Sequence, residues 1–102
     1  MIDLQAKHLR EVVDILSRHV PTVDVWAYGS RVKGTTKPWS DLDLVVMEPT
    51  RLESRQLFDL QKAFEESSLP FRVEILDWNA ISAEFQSIIS SRYEVIKPAV
   101  EP

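Results

Sequence analysis

A single small α/β domain of the α+β kind, with helices layered on a short sheet, is the fold class this sequence predicts. Two observations carry that prediction. Apolar residues recur with helical and strand periodicity in turn, in the order α-β-α-β-α-β-α, which suits helices packed on a small sheet. The 102 residues, 44% hydrophobic and 27% charged, have the length and balance of one domain spanning 1–102, with a core that needs no staples. No repeat, low-complexity tract or composition break marks a second domain.

Leu4, His8, Val12, Ile15, Leu16 and His19 share one helical stripe, which predicts a first helix over 4–19, capped by Asp3 and stopped before Pro21. Val23–Tyr28 is β-branched and aromatic and ends at Gly29, so it reads as the first strand. A short helical turn over Arg31–Gly34 and a loop over Thr35–Ser40 follow. Asp41–Met47 is the second strand, ended by Pro49. Thr50-Arg-Leu-Glu53 has the form of a capping box, so a helix starting near 50–54 should run to Ser67 and bury Leu57, Leu60 and Phe64. Phe71–Asp77 is the third strand. A helix over 80–91 carries the stripe Ile81, Phe85, Ile88 and Ile89, Tyr93–Ile96 adds an edge strand, and 98–102 is a loose tail.

Composition excludes several chemistries. Without cysteine there is no disulfide, no thiolate zinc site and no thiol nucleophile, which fits a reducing cytoplasm. Twelve Lys and Arg against sixteen Asp and Glu give a net charge of -4. Direct nucleic-acid binding is therefore not expected. The start lacks the basic and apolar segments of a signal peptide, and no apolar run reaches the ~18 residues of a membrane span.

Glycine is more telling. Average usage of about 7% would put about seven in a chain this long. Only Gly29 and Gly34 occur, within one six-residue stretch. Glycine is used where backbone must turn tightly or approach something closely. Gly29-Ser30 therefore offers a turn with backbone N–H groups and a hydroxyl, as phosphate-cradling turns do. Arg31, Lys33 and Lys37 add local positive charge, although Lys37 also suits a plain solvated loop. On the second strand Asp41 and Asp43 share a face with Val45. Two such carboxylates repel each other, and a hard divalent cation such as Mg²⁺ would relieve them. Glu74 and Asp77 lie three apart on the third strand and face opposite ways, so only one can join the pair.

Gly29-Ser30, ten residues, and then Asp41-Leu42-Asp43 resembles the G-S-x(10)-D-x-D signature of the minimal nucleotidyltransferases, in the DNA polymerase β-like superfamily. The flanking Ala-Tyr-Gly-Ser-Arg-Val-Lys-Gly and Ser-Asp-Leu-Asp-Leu are similar to the family motif almost letter for letter. Phe71-Arg-Val-Glu-Ile-Leu-Asp-Trp resembles its third strand, so the resemblance covers 23–78.

The resemblance implies a polymerase β-like fold, a small mixed sheet with helices mainly on one face. It implies nucleotide binding at Gly29, Ser30, Arg31 and Lys33. It also implies two Mg²⁺ ions on Asp41 and Asp43, with the third acid at Glu74. The implied reaction moves AMP from ATP to an acceptor hydroxyl and releases pyrophosphate. Family members of this size pair with a helical HEPN-type protein, which implies a hetero-oligomer and an antitoxin role. A hydroxyl of that partner, such as a tyrosine, would be the acceptor. Two alternatives stand beside this: a non-catalytic masking antitoxin, and the catalytic subunit of an antibiotic-type, small-molecule nucleotidyltransferase. No acceptor-holding domain is expected after the last helix, so exposed apolar residues such as Phe85, Ile89 or Tyr93 are expected to meet the partner.

Other chemistry-bearing residues have plainer expectations. His8 and His19 read as packing or rim residues, Ser54 and Ser82 as helix-start residues, and Tyr28 as packing. Trp26 and Trp78 read as anchors, whereas Trp39, next to Asp41, is a candidate contact for nucleotide or partner.

Overall fold

The computed structural model describes residues 2–37, 39–49 and 51–99. Its elements are α1 (Ala6–His19), β1 (Val25–Tyr28), α2 (Ser30–Lys33), β2 (Leu42–Val46), α3 (Ser54–Glu65), β3 (Val73–Asp77), a 3₁₀ turn (Trp78–Ala80), α4 (Ala83–Ser91) and β4 (Glu94–Lys97). Every expected element is present, and the ends differ for local reasons.

Asp3 does not cap α1, whose N-cap is Gln5 without a side-chain bond. The Asp3 backbone is used instead, its N–H donating to the Arg31 carbonyl at 2.8 Å. α3 starts after Glu53, again without a side-chain cap. Thr50, the head of the expected capping box, and tail residues 100–102 lie outside the described residues. The expected helix over 80–91 is divided because two side chains cap two turns. Asp77 accepts from Asn79 N–H to start the 3₁₀ turn, and Ser82 accepts from Phe85 N–H to start α4.

The sheet order is β3-β2-β1-β4. β1 is antiparallel to β2 and β4, whereas β2 and β3 run parallel, so the sheet is mixed. Alternation sends Val25, Ala27, Leu42, Leu44, Val46, Val73 and Ile75 to one face. There they pack with Val12, Ile15 and Leu16 of α1 and Leu60 and Phe64 of α3. On the other face Val45 and Ile89 are buried. Trp26 is stacked there on Tyr93 at 3.8 Å and meets Trp78 edge-on at 5.5 Å. α4 thus shelters the Trp26–Val45 part of this face, while the row containing Tyr28, Asp43 and Glu74 is half-buried to exposed.

This placement corrects the expected stripe and interface on α4. Ile89 is buried, with 1% exposure, and has no surface to offer a partner, whereas Ile88, expected in the stripe, is 61% exposed. Phe85 is half-buried, its ring edge-on to Tyr28 at 5.8 Å. His8 does pack, edge-on to Phe71 at 5.6 Å.

Both outer strands are tied down by side chains. Gln61 of α3 donates from Nε2 to Val73 O at 2.8 Å and accepts from Ile75 N–H at 3.3 Å, occupying the β3 edge as a neighbouring strand would. Lys97 ends β4 with its ammonium buried, donating to the carbonyls of Val23 (2.6 Å), Pro21 (3.0 Å) and Pro98 (3.1 Å). Burial lowers its pKa, and the charge of Asp24 opposes that shift. Among the described residues no helix is long and apolar enough to cross a membrane.

Candidate active site

The site begins where β1 ends. Gly29 has φ +80° and ψ -157°, a region essentially closed to other residues. A Cβ added here would run into the Asp43 carboxylate, so glycine is required both by the backbone and by the closeness of β2. α2 then turns the chain away. The Ser30 carbonyl accepts from Gly34 N–H (3.1 Å), Thr35 N–H (3.2 Å) and the Thr36 hydroxyl (3.0 Å), which fixes the turn.

Pairing across the sheet sets the polar row. Tyr28 lies opposite Asp43, and Asp43 lies opposite Glu74. Asp41 is half-buried just before β2. The carboxyl of Asp43 is pushed up to about 6, mainly by burial, then by the charges of Glu74 and Asp41. Burial, then Asp43 and Glu74, also raises the Tyr28 phenol, which therefore stays a neutral hydroxyl. The packing expected of Tyr28 is found against Phe85, edge-on at 5.8 Å, and its place beside Gly29 also brings it into the polar row.

Of the two acids on β3, Glu74 is the one brought beside Asp43. Asp77 pairs with Val46 at the far end of the strand and is buried, accepting from Leu52 N–H at 2.8 Å and Asn79 N–H at 3.0 Å. Its charge holds a loop.

The basic residues separate. Lys33 and Lys37 are exposed, and the Lys37 ammonium lies 5.7 Å from the ring centre of Trp39, which is 71% exposed. Arg31, expected at the phosphates, is 6% exposed. Its guanidinium donates to the carbonyls of Ser40 and Asp3 and stacks on Phe71. That leaves it little surface with which to meet a ligand.

A hard cation suits the donors present. Asp43 faces Glu74 across the sheet, and the charges of Glu74 and Asp41 raise its carboxyl beyond the effect of burial. Among the described residues no three His, Asp or Glu side chains form a ready-made metal cage. Mg²⁺ is commonly held by one or two carboxylates together with substrate phosphates, so this is no obstacle.

A mixed sheet that sets a Gly-Ser turn against carboxylates on the neighbouring strands is the frame of a nucleotidyl-transfer domain. The profile of the nucleotidyltransferase domain family matches residues 9–97, and the chain belongs to that family. It is 44% identical over 96 residues to the probable protein adenylyltransferase MntA of Haemophilus influenzae, covering 94% of this chain and 84% of that one. It is also 42% identical over 71 residues to an aminoglycoside (3'') (9) adenylyltransferase of Klebsiella pneumoniae, a span of 67% of this chain but only 27% of the relative. Solved structures share the fold. A chain of a toxin–antitoxin crystal structure with AMP-PNP superposes with a TM-score of 0.74 at 18% identity, over 89% of this chain and 73% of that one. A chain of the tri-AMPylated Shewanella oneidensis HEPN toxin in complex with MNT antitoxin gives 0.70 at 17% identity, over 94% and 74%.

Proposed function

We propose that this nucleotidyltransferase moves AMP from ATP, with Mg²⁺, to a hydroxyl of a HEPN-type partner protein, and so acts as its antitoxin. The carrying observation is Asp43 set against the Gly29–Ser30 turn, with Glu74 paired to it across the sheet and the charge of Asp41 acting on it. The similarity to the probable protein adenylyltransferase MntA over 94% of the chain supports a protein acceptor. The chemistry fits the cytoplasm, where ATP is made available and cysteine-free chains need no oxidising compartment.

Each residue then has a defined task. Gly29 lets the triphosphate approach the backbone, and the Ser30 hydroxyl donates to it, with Lys33 adding charge from the surface. Asp41 and Asp43, completed by Glu74, would hold two Mg²⁺ ions, which when bound neutralise phosphate charge and favour in-line attack. Glu74, the most exposed of the row, accepts the proton of the acceptor hydroxyl. The acceptor oxygen bonds to the α-phosphorus as the bridging bond to the β-phosphate breaks, and pyrophosphate leaves.

Intact-mass measurement of the partner after incubation with this chain, ATP and Mg²⁺ tests the reading. A gain of one or more AMP units is expected, and none with Asp41→Asn/Asp43→Asn. No gain, with neutralisation surviving in that double variant, would instead establish a masking antitoxin.

A further inference from the structure

The ten residues between Ser30 and Asp41 are the part of the signature that carries no fixed letters, yet one side chain closes them. Arg31 is the first of the ten and Ser40 the last. Both Nε and Nη2 of Arg31 donate to the Ser40 carbonyl, at 3.1 and 2.8 Å, and Nη1 donates to the Asp3 carbonyl at 2.9 Å. The guanidinium lies 4.4 Å from the ring centre of Phe71, which leads into β3.

We infer that Arg31 is a positioning residue: by tying the first residue of the spacer to the last, it sets Asp41 and Asp43 against the Gly29–Ser30 turn. This rests on the nucleotidyl-transfer reading of the site. Ser40 is bonded covalently to Asp41, so a shift of its carbonyl is a shift of the first carboxylate. Arg31 adjoins Ser30 in the same way. The contact with Phe71 and the Leu42 N–H bond to Arg72 O, at 2.9 Å, bring the start of β3, and hence Glu74, into the same frame.

The chemistry asks for arginine. Two donors of one rigid fork meet a single carbonyl while a third reaches another element, and the flat cation stacks on a ring. Lysine carries the charge but cannot make the fork. A buried guanidinium must also have its donors satisfied, which commits it to these carbonyls and away from a substrate phosphate.

Arg31→Lys and Arg31→Met in the full chain separate positioning from phosphate contact. Three quantities are read: Mn²⁺ affinity by electron paramagnetic resonance with saturating α,β-methylene ATP, affinity for that analogue in EDTA, and amide exchange across 39–43. Metal ligands that lose their support typically lose about 10- to 100-fold in affinity. We expect Mn²⁺ binding to weaken about tenfold in Arg31→Lys and more in Arg31→Met. Exchange at 39–43 should accelerate, and analogue affinity in EDTA should stay within about twofold of wild type. A tenfold loss of analogue affinity in EDTA with Mn²⁺ binding intact would make Arg31 a phosphate ligand and overturn the inference. So would unchanged values throughout, or failure of both variants to fold, which would make it a core residue only. Absence of AMP transfer by the wild-type chain would overturn the proposed function, while Mn²⁺ affinity and exchange would still judge Arg31.

Discussion

Gly29 and Gly34 share a φ of +80°, yet their replacement by alanine should differ sharply. At Gly34 an added Cβ meets nothing within 4 Å, so Gly34→Ala carries only left-handed backbone strain, about 1 kcal/mol, with transfer nearly intact. At Gly29 the same strain is joined by a collision with the Asp43 carboxylate. Gly29→Ala should therefore cost about 2–3 kcal/mol and reduce transfer about 100-fold, since displacing a proposed metal ligand is costly to catalysis. Denaturant unfolding and a transfer assay distinguish the two. The acids divide similarly. Glu74→Gln should remove most transfer and leave stability unchanged, whereas Asp77→Ala, which orphans the N–H groups of Leu52 and Asn79, should cost about 2–3 kcal/mol.

Asp43 also gives the metal-free protein a pH dependence. Its carboxyl titrates at about 6 in the fold against 3.8 ordinarily. Between those values the folded state holds a proton that the unfolded state has released, so stability falls as pH rises through the window. The loss is complete above roughly pH 7, and solvent screening of this half-buried group limits it to the order of 1 kcal/mol. In EDTA, Asp43→Asn should flatten that slope, stabilising the chain at pH 7 and hardly affecting it at pH 4. At this scale the motif residues were legible because Gly, Ser and Asp announce themselves by type and spacing. The role of Arg31 was not, because its partners are backbone carbonyls, which leave no mark on a sequence.

At the scale of elements, periodicity found the long helices and the third strand, because the apolar stripes of α1 and α3 and the alternation of β3 are strong. It misplaced their ends, because ends are decided by caps and by the reach of neighbouring strands. Asp3 has a capping side chain, but its backbone is held by Arg31, and α1 starts after Gln5. The hold on β4 was equally hidden, since a lysine near a chain end reads as solvated. Lys97 instead places its ammonium on three carbonyls, two of them in the segment leading to β1. Lys97→Met should cost about 2–4 kcal/mol, from lost charge-assisted bonds and stranded carbonyls, and should loosen β4 first. Amide exchange read along β4 and β1 checks this: faster exchange confined to other strands would refute it.

For the molecule as a whole, the question is which surface would meet the proposed partner. α1 and α3 cover one face of the sheet, and Ile89 with Trp78 and Trp26 fills much of the other. Around that second cluster, Ile88 of α4, Tyr93 just before β4 and Val95 of β4 remain 61%, 39% and 47% exposed. Apolar side chains gathered at one end of the sheet mark an interaction surface more readily than scattered ones. This face also contains the Tyr28–Asp43–Glu74 row, so a protein docked on it would present its acceptor hydroxyl on the site's own side. The adjacent positions Ile88 and Ile89 make the test specific, because one points outward and the other into the core. Ile88→Asp should leave the unfolding midpoint nearly unchanged and weaken association with the HEPN-type partner at least tenfold, lowering partner adenylylation in parallel. Ile89→Asp buries a charge and should unfold the chain. Calorimetric titration of the partner into each folded variant reads the difference. Wild-type affinity in Ile88→Asp and in Tyr93→Ala would place the contact elsewhere, with the exposed end of α4 and β4 left out of it.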